Sequence, residues 1–272
     1  MEFNSKKIQQ QYQGFLETKL LWKGIFYGLK QMQFSEINTT LFEGKLTKNP
    51  RLGKRVESFV SCYLQQFETI KIVHENIQIQ KENITVGEID CVLTQGNTPI
   101  HLEIIFKYYL YDASVGTTEI EHWIGPNRND SLQQKIEKLS VKQLPLLYRE
   151  ETKKYVDIDV SSIVQKVFFK AQLFVPYSNQ NIQFEQLNPA CVTGFYIYQH
   201  ELSKFNTAKF SIPTKIDWLL EPHKNVDWLS FDSFRKQTEP ILLSKKSLLC
   251  WIKQQNGELS KFFLVFWDPQ TL

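Results

Sequence analysis

Two acids and a lysine lie where two neighbouring strands could bring them to one point. Residues 87–109 read as two strands joined by a turn at 95–97. Because successive strand side chains point to opposite faces, Glu103 and Lys107 share one face of the second strand. If the hairpin brings the polar faces of its strands together, Asp90 meets Glu103 there. Two carboxylates and a nearby lysine on a half-buried sheet face are typical of a metal site.

Glu88 and His101 extend this polar face. By alternation Glu88 shares the face of Asp90. The preferred interpretation is that Glu88 forms a cross-strand ion pair, and the alternative is that it supports the metal site. His101 shares the face of Glu103. The preferred interpretation is a strand histidine whose hydrogen bonds are satisfied within the fold, and the alternative is a contact to the metal or the leaving group. The opposite face of the second strand is apolar and predicts a core, with Ile100, Leu102, Ile104, Phe106, Tyr108 and Leu110.

The helix before the hairpin carries a third acid. Apolar spacing predicts a helix over 51–67, with Glu57 on the flank of its apolar stripe. Burying a carboxylate unpaired is costly, so Glu57 taken alone is expected to pair with Lys54 at the surface. The two hairpin acids shift the interpretation toward a Glu57 that assists the site.

A second helix follows the hairpin after a long connection at 111–129. Asp130 and Gln133 have the spacing of a capping box, which predicts a helix from about Asp130 to Pro145. Gln143 stands where the inner stripe of this helix would otherwise be apolar. Two interpretations of Gln143 are equal: a buried amide satisfied by the backbone, or a group that points into the site.

The remaining patterns predict an N-terminal helix, a linker and further strands. An aromatic stripe predicts a helix over about 7–31, and the linker follows at 38–50. Strands are expected at 70–80, 164–175, 192–198, 241–253 and 262–267. Strands and helices interleaved along the chain indicate the α/β class.

Composition argues against several classes of protein. The 272 residues carry a net charge of +3, which by itself says little about nucleic acid. The four cysteines form no CxxC pair, which argues against a zinc ribbon and a secreted disulfide scaffold. No apolar run reaches the length of a membrane span, and the N-terminus lacks the apolar core of a signal peptide. We therefore expect a cytoplasmic protein without membrane contact.

The order of these elements resembles the PD-(D/E)xK nuclease superfamily. Glu57 and the stretches 87–90 and 101–107 carry the resemblance. It implies a restriction-endonuclease-like core made of a helix, a three-strand meander, a helix and a strand. The chain then divides into a helical N-terminal extension (1–50), this core (51–176) and an aromatic-rich α+β region packed on the core (177–272).

The resemblance also implies a chemistry. Mg²⁺, or Mn²⁺, would be held by Asp90, Glu103 and a backbone carbonyl near Ile104, with Glu57 assisting directly or through water. Lys107 would orient the attacking water during phosphodiester hydrolysis of DNA or RNA. The resemblance therefore implies a metal-dependent nuclease.

The position of the lysine departs from the superfamily pattern, which places it two residues after the acid. Ile105 stands there, and Lys107 lies four residues after Glu103, so Lys135 or Lys54 could supply the ammonium. This departure motivates two alternatives. One is a catalytically inactive nuclease-like module that binds nucleic acid or a protein partner. In the other, the acids and Lys107 form only a structural ion-pair network.

Longer stretches are similar to a bacterial family described as domain of unknown function 1853. They are RLGKRVE (51–57), VGEID (86–90), HLEIIFKYYL (101–110), WIGPNRNDSLQQK (123–135), QLPLL (143–147) and the aromatic segments around Trp218 and Trp228. The similarity spans most of the chain.

Overall fold

The structure is a computed structural model that describes residues 2–34, 41–44, 46 and 51–268. Most of the predicted linker at 38–50 lies outside the described residues. The α-helices are α1 (Glu2–Glu17), α2 (Leu52–Leu64), α3 (Leu132–Lys138) and α4 (Phe231–Leu243). No described helix has both the length and the apolar character that crossing a membrane requires.

The strands form a small hairpin and one large sheet. They are β1 (Ile25–Phe26), β2 (Leu29–Lys30), β3 (Ile70–Lys81), β4 (Ile84–Gln95), β5 (Thr98–Tyr111), β6 (Trp123–Ile124), β7 (Val164–Pro176), β8 (Val192–Tyr198), β9 (Lys209–Ser211), β10 (Leu248–Lys253) and β11 (Leu259–Val265). The large sheet has the order β3-β4-β5-β7-β8-β11-β10-β9, with β6 beside the end of β5. The predicted α/β class is confirmed.

The centre of the sheet is parallel and its two sides are antiparallel. β5, β7, β8 and β11 pair in parallel, whereas β3–β4–β5 and β11–β10–β9 pair antiparallel. Strands buried on both faces read as near-continuous apolar runs, and β7 is accordingly buried without a break from Val167 to Val175. The strands after residue 176 extend the same sheet that β3, β4 and β5 begin.

Helices cover both faces of β5. α2 packs against Ile100 and Leu102, on the face that the sequence predicts to be apolar. α3 packs against Ile105 and Tyr109, on the opposite face. The polar side chains of β5 therefore lie on the side of the sheet that α3 covers.

One edge of β5 is unpaired over much of its length. The ladder between β4 and β5 ends at the pair Cys91–Leu102, and β6 pairs with β5 only at Leu110 and Tyr111. Within the described part of the chain, no strand pairs with this edge from residue 103 to residue 109. We call this stretch the open edge of β5. Its backbone groups need partners from side chains, water or a ligand.

The helix predicted over 7–31 is wrong in its second half. α1 ends at Glu17, and the chain then runs beside β7, where the N–H of Leu21 donates to the carbonyl of Phe169 (2.9 Å). β8 pairs with β7 only from Leu173 onward. The N-terminal segment therefore satisfies the part of the β7 edge that β8 leaves without a neighbour.

The strand predicted over 241–253 is wrong in its first part. α4 runs to Leu243, and β10 begins only at Leu248. The hydroxyl of Ser230 accepts a hydrogen bond from the N–H of Ser233 and caps α4. Such a cap stabilises a helix start, and the helix then continues into the apolar residues that suggested a strand.

Candidate active site

Asp90 lies where β4 parts from β5. One residue beyond the last ladder pair, its Oδ2 accepts a hydrogen bond from the backbone N–H of Ile104 (2.8 Å). A neighbouring strand would otherwise satisfy that N–H. The carboxylate therefore replaces a ladder partner, and this contact holds Asp90 at the open edge of β5, next to Glu103.

Asp90 also marks a change of face along β4. Cys91 packs in the core beneath α2, whereas Ile89, two residues earlier, packs with Leu146 on the other side of the sheet. Strict alternation would place these two odd-numbered residues on the same side. Glu88 accordingly lies on the α2 side and does not share the face predicted for it with Asp90.

Lys54 joins Glu57 and Glu88 on the α2 side of the sheet. Its Nζ lies 2.8 Å from Glu57 Oε2 and 2.6 Å from Glu88 Oε1. Glu57 thus forms the pair with Lys54 that its sequence position suggests, and Glu88 pairs with a helix lysine instead of a cross-strand partner. Burial raises the pKa of Glu57, and Lys54 opposes that rise.

Glu103 is fully buried, and both of its carboxylate oxygens are hydrogen-bonded. Oε1 lies 3.0 Å from His101 Nε2, and Oε2 accepts a hydrogen bond from Gln143 Nε2 (2.5 Å). Lys135 Nζ donates to Oε1 of the same glutamine (2.6 Å). Gln143 therefore points into the site and links the lysine to the acid, which decides between its two interpretations.

His101 fixes Glu103 from the other side. Gln165 Nε2 lies 3.0 Å from His101 Nδ1 and also donates to the carbonyl of Leu144 (2.6 Å). Because an amide nitrogen only donates, Nδ1 accepts, and the neutral ring donates through Nε2–H to Glu103. His101 is a satisfied buried histidine that orients the acid.

Gln165 was not among the predicted site residues. It lies beside His101 in the parallel register of β5 and β7. Its signal in the sequence is weak, because it is one of several polar residues along a strand that is mostly apolar. Only the register shows that it reaches His101.

A π turn brings Lys135 and Gln143 to one side of their helix. α3 continues directly into a π turn at Leu139–Gln143. Residues eight apart in a regular α-helix are rotated by about 80°, and the additional residue of a π turn largely removes that rotation. The cap of α3 is Ser131, whose side chain accepts from the N–H of Gln134, so the predicted cap at Asp130 is wrong.

Lys107 and Asp130 pair with each other further along the open edge. Lys107 Nζ lies 2.6 Å from Asp130 Oδ2, and the two side chains are 36% and 43% exposed. Lys107 is thus occupied by a partner that the sequence did not suggest. The structure groups Asp90, Glu103 and Lys135, and it leaves Lys107 beside this group.

Burial governs the charges of the group. It raises the pKa of Asp90 to about 8, and the charges of Glu103 and Glu57 add to the rise. Burial also lowers the pKa of Lys135 to about 8, while Glu103 and Asp90 oppose that change. Groups that exchange protons near neutral pH at the edge of a sheet are suited to catalysis.

Two carboxylates, rather than three, face this point. Across the residues that the structure describes, no three His, Cys, Asp or Glu side chains come together as a metal-binding group. Glu57 is engaged by Lys54. Asp90 and Glu103 would therefore hold a cation with help from backbone oxygen and water, a mode that suits Mg²⁺.

A comparison with known families assigns the chain to one of them. The sequence matches a family model described as "Domain of unknown function (DUF1853)" over residues 29–265. The chain belongs to the DUF1853 family. This confirms the family similarity seen in the sequence, and the matched range of the DUF1853 chain contains the whole group from Glu57 to Gln165. No curated protein and no solved structure matches the chain.

The DUF1853 description names no activity. A fold hosts many functions, so the function of this DUF1853 protein has to be argued from the geometry and charge of its site. The strongest such geometry in the described chain is the group of Asp90, Glu103 and Lys135 at the open edge of β5.

Proposed function

We propose that this protein is a metal-dependent nuclease of the PD-(D/E)xK type, which hydrolyses phosphodiester bonds of DNA or RNA. The observation that carries the proposal is the meeting of Asp90 and Glu103 at the open edge of β5, with Lys135 linked to Glu103 through Gln143. The element order α2, β3–β4–β5, α3 and β7 supports it, because a restriction-endonuclease-like core has the same order.

The residues of the site fit a magnesium or manganese ion. Burial raises the pKa of Asp90, the charge of Glu103 adds to the rise, and Lys135 offsets it only in part. Asp90, Glu103 and the backbone carbonyl near Ile104 would hold the ion, and Glu57 would assist through water. When bound, the ion would supply Lewis-acid stabilisation of the phosphate and a water of lowered pKa.

Lys135 takes the role that the resemblance gives to Lys107. Its ammonium lies in the electrostatic field of Asp90 and Glu103, and Gln143 fixes its position. There it would offset the negative charge that builds on the phosphate during attack. A pKa near 8 also lets Lys135 exchange a proton close to neutral pH.

A catalytically inactive module that binds nucleic acid or a protein partner is the second candidate. The observation that favours it is the full hydrogen bonding of Glu103, whose two oxygens already contact His101 and Gln143. Such a module would bind nucleic acid without a divalent cation and leave it intact.

Cleavage assays with matched variants test the nuclease proposal. Purified protein is incubated with labelled DNA and RNA in magnesium or manganese, and the products are separated on gels. We expect cleavage that Asp90→Asn and Glu103→Gln each reduce by about 10²–10³-fold, since each removes a charge at nearly constant volume. Asp232→Asn, which changes an exposed acid of α4, is the control and should cleave as the wild type does.

The same variants separate loss of chemistry from loss of structure. Circular dichroism and thermal melting should show the acid variants folded, and calorimetric titration should show that Asp90→Asn no longer binds the cation. The nuclease proposal is wrong if no nucleic acid is cut, or if both acid variants cut as fast as the wild type.

A further inference from the structure

A cleft of about 780 Å³ lies along the open edge of β5, beyond the candidate active site. Its walls include Phe106 and Lys107 of β5, Arg51 at the start of α2, Asn127 before α3, and the helical turn Lys215–Leu219. This volume falls within the range of about 300–1,000 Å³ that is typical of ligand sites. Four separate parts of the chain therefore build a cleft large enough for a ligand.

The cleft carries unpaired positive charge. Arg51 and Lys215 are exposed, and neither forms an ion pair with any described residue. Asp130 is an acid of the lining, and Lys107 already pairs with it. The start of α2 adds to the positive field, because its first turn holds no acidic residue and its cap residue makes no side-chain hydrogen bond. An anionic ligand is therefore favoured.

An aromatic ring stands in the same wall. Trp218 is half-buried, and its ring meets Tyr108 and Phe263 edge to face, each with centroids 5.3 Å apart. These contacts hold the indole in place. Lys215 Nζ lies 5.5 Å from the centre of the same ring, so an aromatic surface and a cation occur side by side.

The cleft lies further along the same strand as the candidate active site. Glu103 and Lys107 lie on the same strand, with Cα atoms about 13 Å apart at the usual rise per residue. The charge of Lys107 acts on Lys135 and helps to lower its pKa. A ligand that lies along the open edge would therefore reach from Glu103 into the cleft.

We propose that this cleft binds a single-stranded segment of nucleic acid next to the phosphodiester bond at the site, with a base stacked on Trp218 and phosphates at Arg51 and Lys215. The inference rests on the proposed nucleic-acid function and specifies its substrate. Stacking on an aromatic side chain requires an unpaired base, because the bases of a duplex are already stacked on one another. Cationic grooves with aromatic platforms are the general solution for single strands.

Binding measurements without divalent cations test this inference separately from cleavage. Labelled DNA and RNA oligonucleotides, single-stranded and as duplexes, are titrated with protein in EDTA and followed by fluorescence anisotropy. Trp218→Leu should weaken single-strand binding about five- to hundredfold and leave the weaker duplex binding unchanged. Lys215→Ala should reduce the slope of log K against log salt by about 0.7 for single strands.

The chain offers a matched control. Trp228 is also half-buried with a lysine near its ring, Lys253 Nζ at 5.9 Å, but it does not line the cleft. Trp228→Leu should therefore bind as the wild type does. Trp218→Phe, which keeps a ring, should retain most of the binding, and circular dichroism should show Trp218→Leu folded.

The outcomes separate the cleft from the chemistry. The cleft inference is overturned if Trp218→Leu and Lys215→Ala bind single strands as the wild type does, if Trp228→Leu loses as much, or if duplexes bind more tightly. If single-strand binding depends on Trp218 but no cleavage occurs, the cleft inference is supported and the nuclease proposal is wrong. If cleavage depends on Asp90 but not on Trp218 or Lys215, the nuclease proposal is supported and the cleft inference is wrong.

Discussion

Two lysines on opposite faces of the sheet have lowered pKa values and different surroundings. Burial lowers the pKa of Lys135 to about 8 and that of Lys170 to about 7. Lys170, on β7, donates to the carbonyls of Phe15 (2.8 Å) and Leu16 (3.0 Å) in the last turn of α1. Lys135 donates to Gln143 and lies in the field of two acids.

The comparison shows that a lowered pKa does not by itself identify a functional lysine. The last carbonyls of a helix have no partners within the helix, and Lys170 satisfies two of them. Its role is complete within the folded chain. Lys135 is different, because the groups that face it, Asp90 and Glu103, are ones that could also bind a cation. The partners of a lysine, rather than its pKa, decide between structure and chemistry.

Removing each lysine should therefore have opposite consequences. Lys135→Met should lower cleavage by about 10²–10³-fold, equivalent to about 3–4 kcal/mol, because a charge that we propose acts on the phosphate is lost. Its free energy of unfolding should change by less than about 1 kcal/mol, since the replaced ammonium is itself penalised by burial. Single-turnover cleavage and urea unfolding measure the two effects. A Lys135→Met variant that cuts normally would remove Lys135 from the mechanism.

The pH dependence of stability should sharpen the assignment of Asp90. Its carboxyl ordinarily titrates near 3.8 and in the folded protein near 8. Between these values the folded protein keeps a proton that the unfolded chain has released, so the contribution of Asp90 to stability falls as the pH rises from about 4 to about 8. In EDTA, the unfolding free energy of the wild type minus that of Asp90→Asn should fall as the pH rises over this range. A difference that grows with pH would contradict the burial of Asp90.

Lys135 should act in a second, higher pH range. Its ordinary pKa of 10.5 falls to about 8 on folding. Between about 8 and about 10.5 the unfolded chain holds a proton that the folded protein has released, so the contribution of Lys135 to stability rises with pH. In urea unfolding followed over this range, Lys135→Met should lose the part of the rise that Lys135 contributes and keep the part that Lys170 contributes, whereas Lys236→Met, at an exposed lysine of α4, should keep both.

Lys170→Met should damage the fold more than any activity. The carbonyls of Phe15 and Leu16 would lose their donor inside the protein, which we expect to cost about 1–3 kcal/mol in unfolding free energy. Cleavage by the protein that remains folded should be unchanged. A loss of cleavage without a loss of stability would show that Lys170 has a function beyond holding α1.

The sequence predicts the strands of the site better than their partners. Alternation along β5 places Glu103 on the face opposite its apolar face, and the hairpin brings Asp90 next to Glu103. Both placements follow from the two-residue period of strand side chains. The link between Lys135 and Gln143 depends on a π turn, which no apolar period signals. The position of Glu88 depends on the change of face at Asp90. The path of the chain from residue 18 to residue 32 depends on the part of the β7 edge that no described strand of the large sheet pairs with. These features arise from tertiary hydrogen bonding, which a single sequence does not display.

Lys107 supplies the smallest and most direct test of the comparison. Its ion pair with Asp130 is more than one-third exposed, and such pairs contribute about 0–1 kcal/mol. Lys107→Ala should therefore change the unfolding free energy by less than about 1 kcal/mol, and it should reduce cleavage far less than Lys135→Met does. If instead Lys107→Ala is as inactive as Asp90→Asn, the catalytic lysine is the one on the strand, and the pair with Asp130 must open when substrate binds.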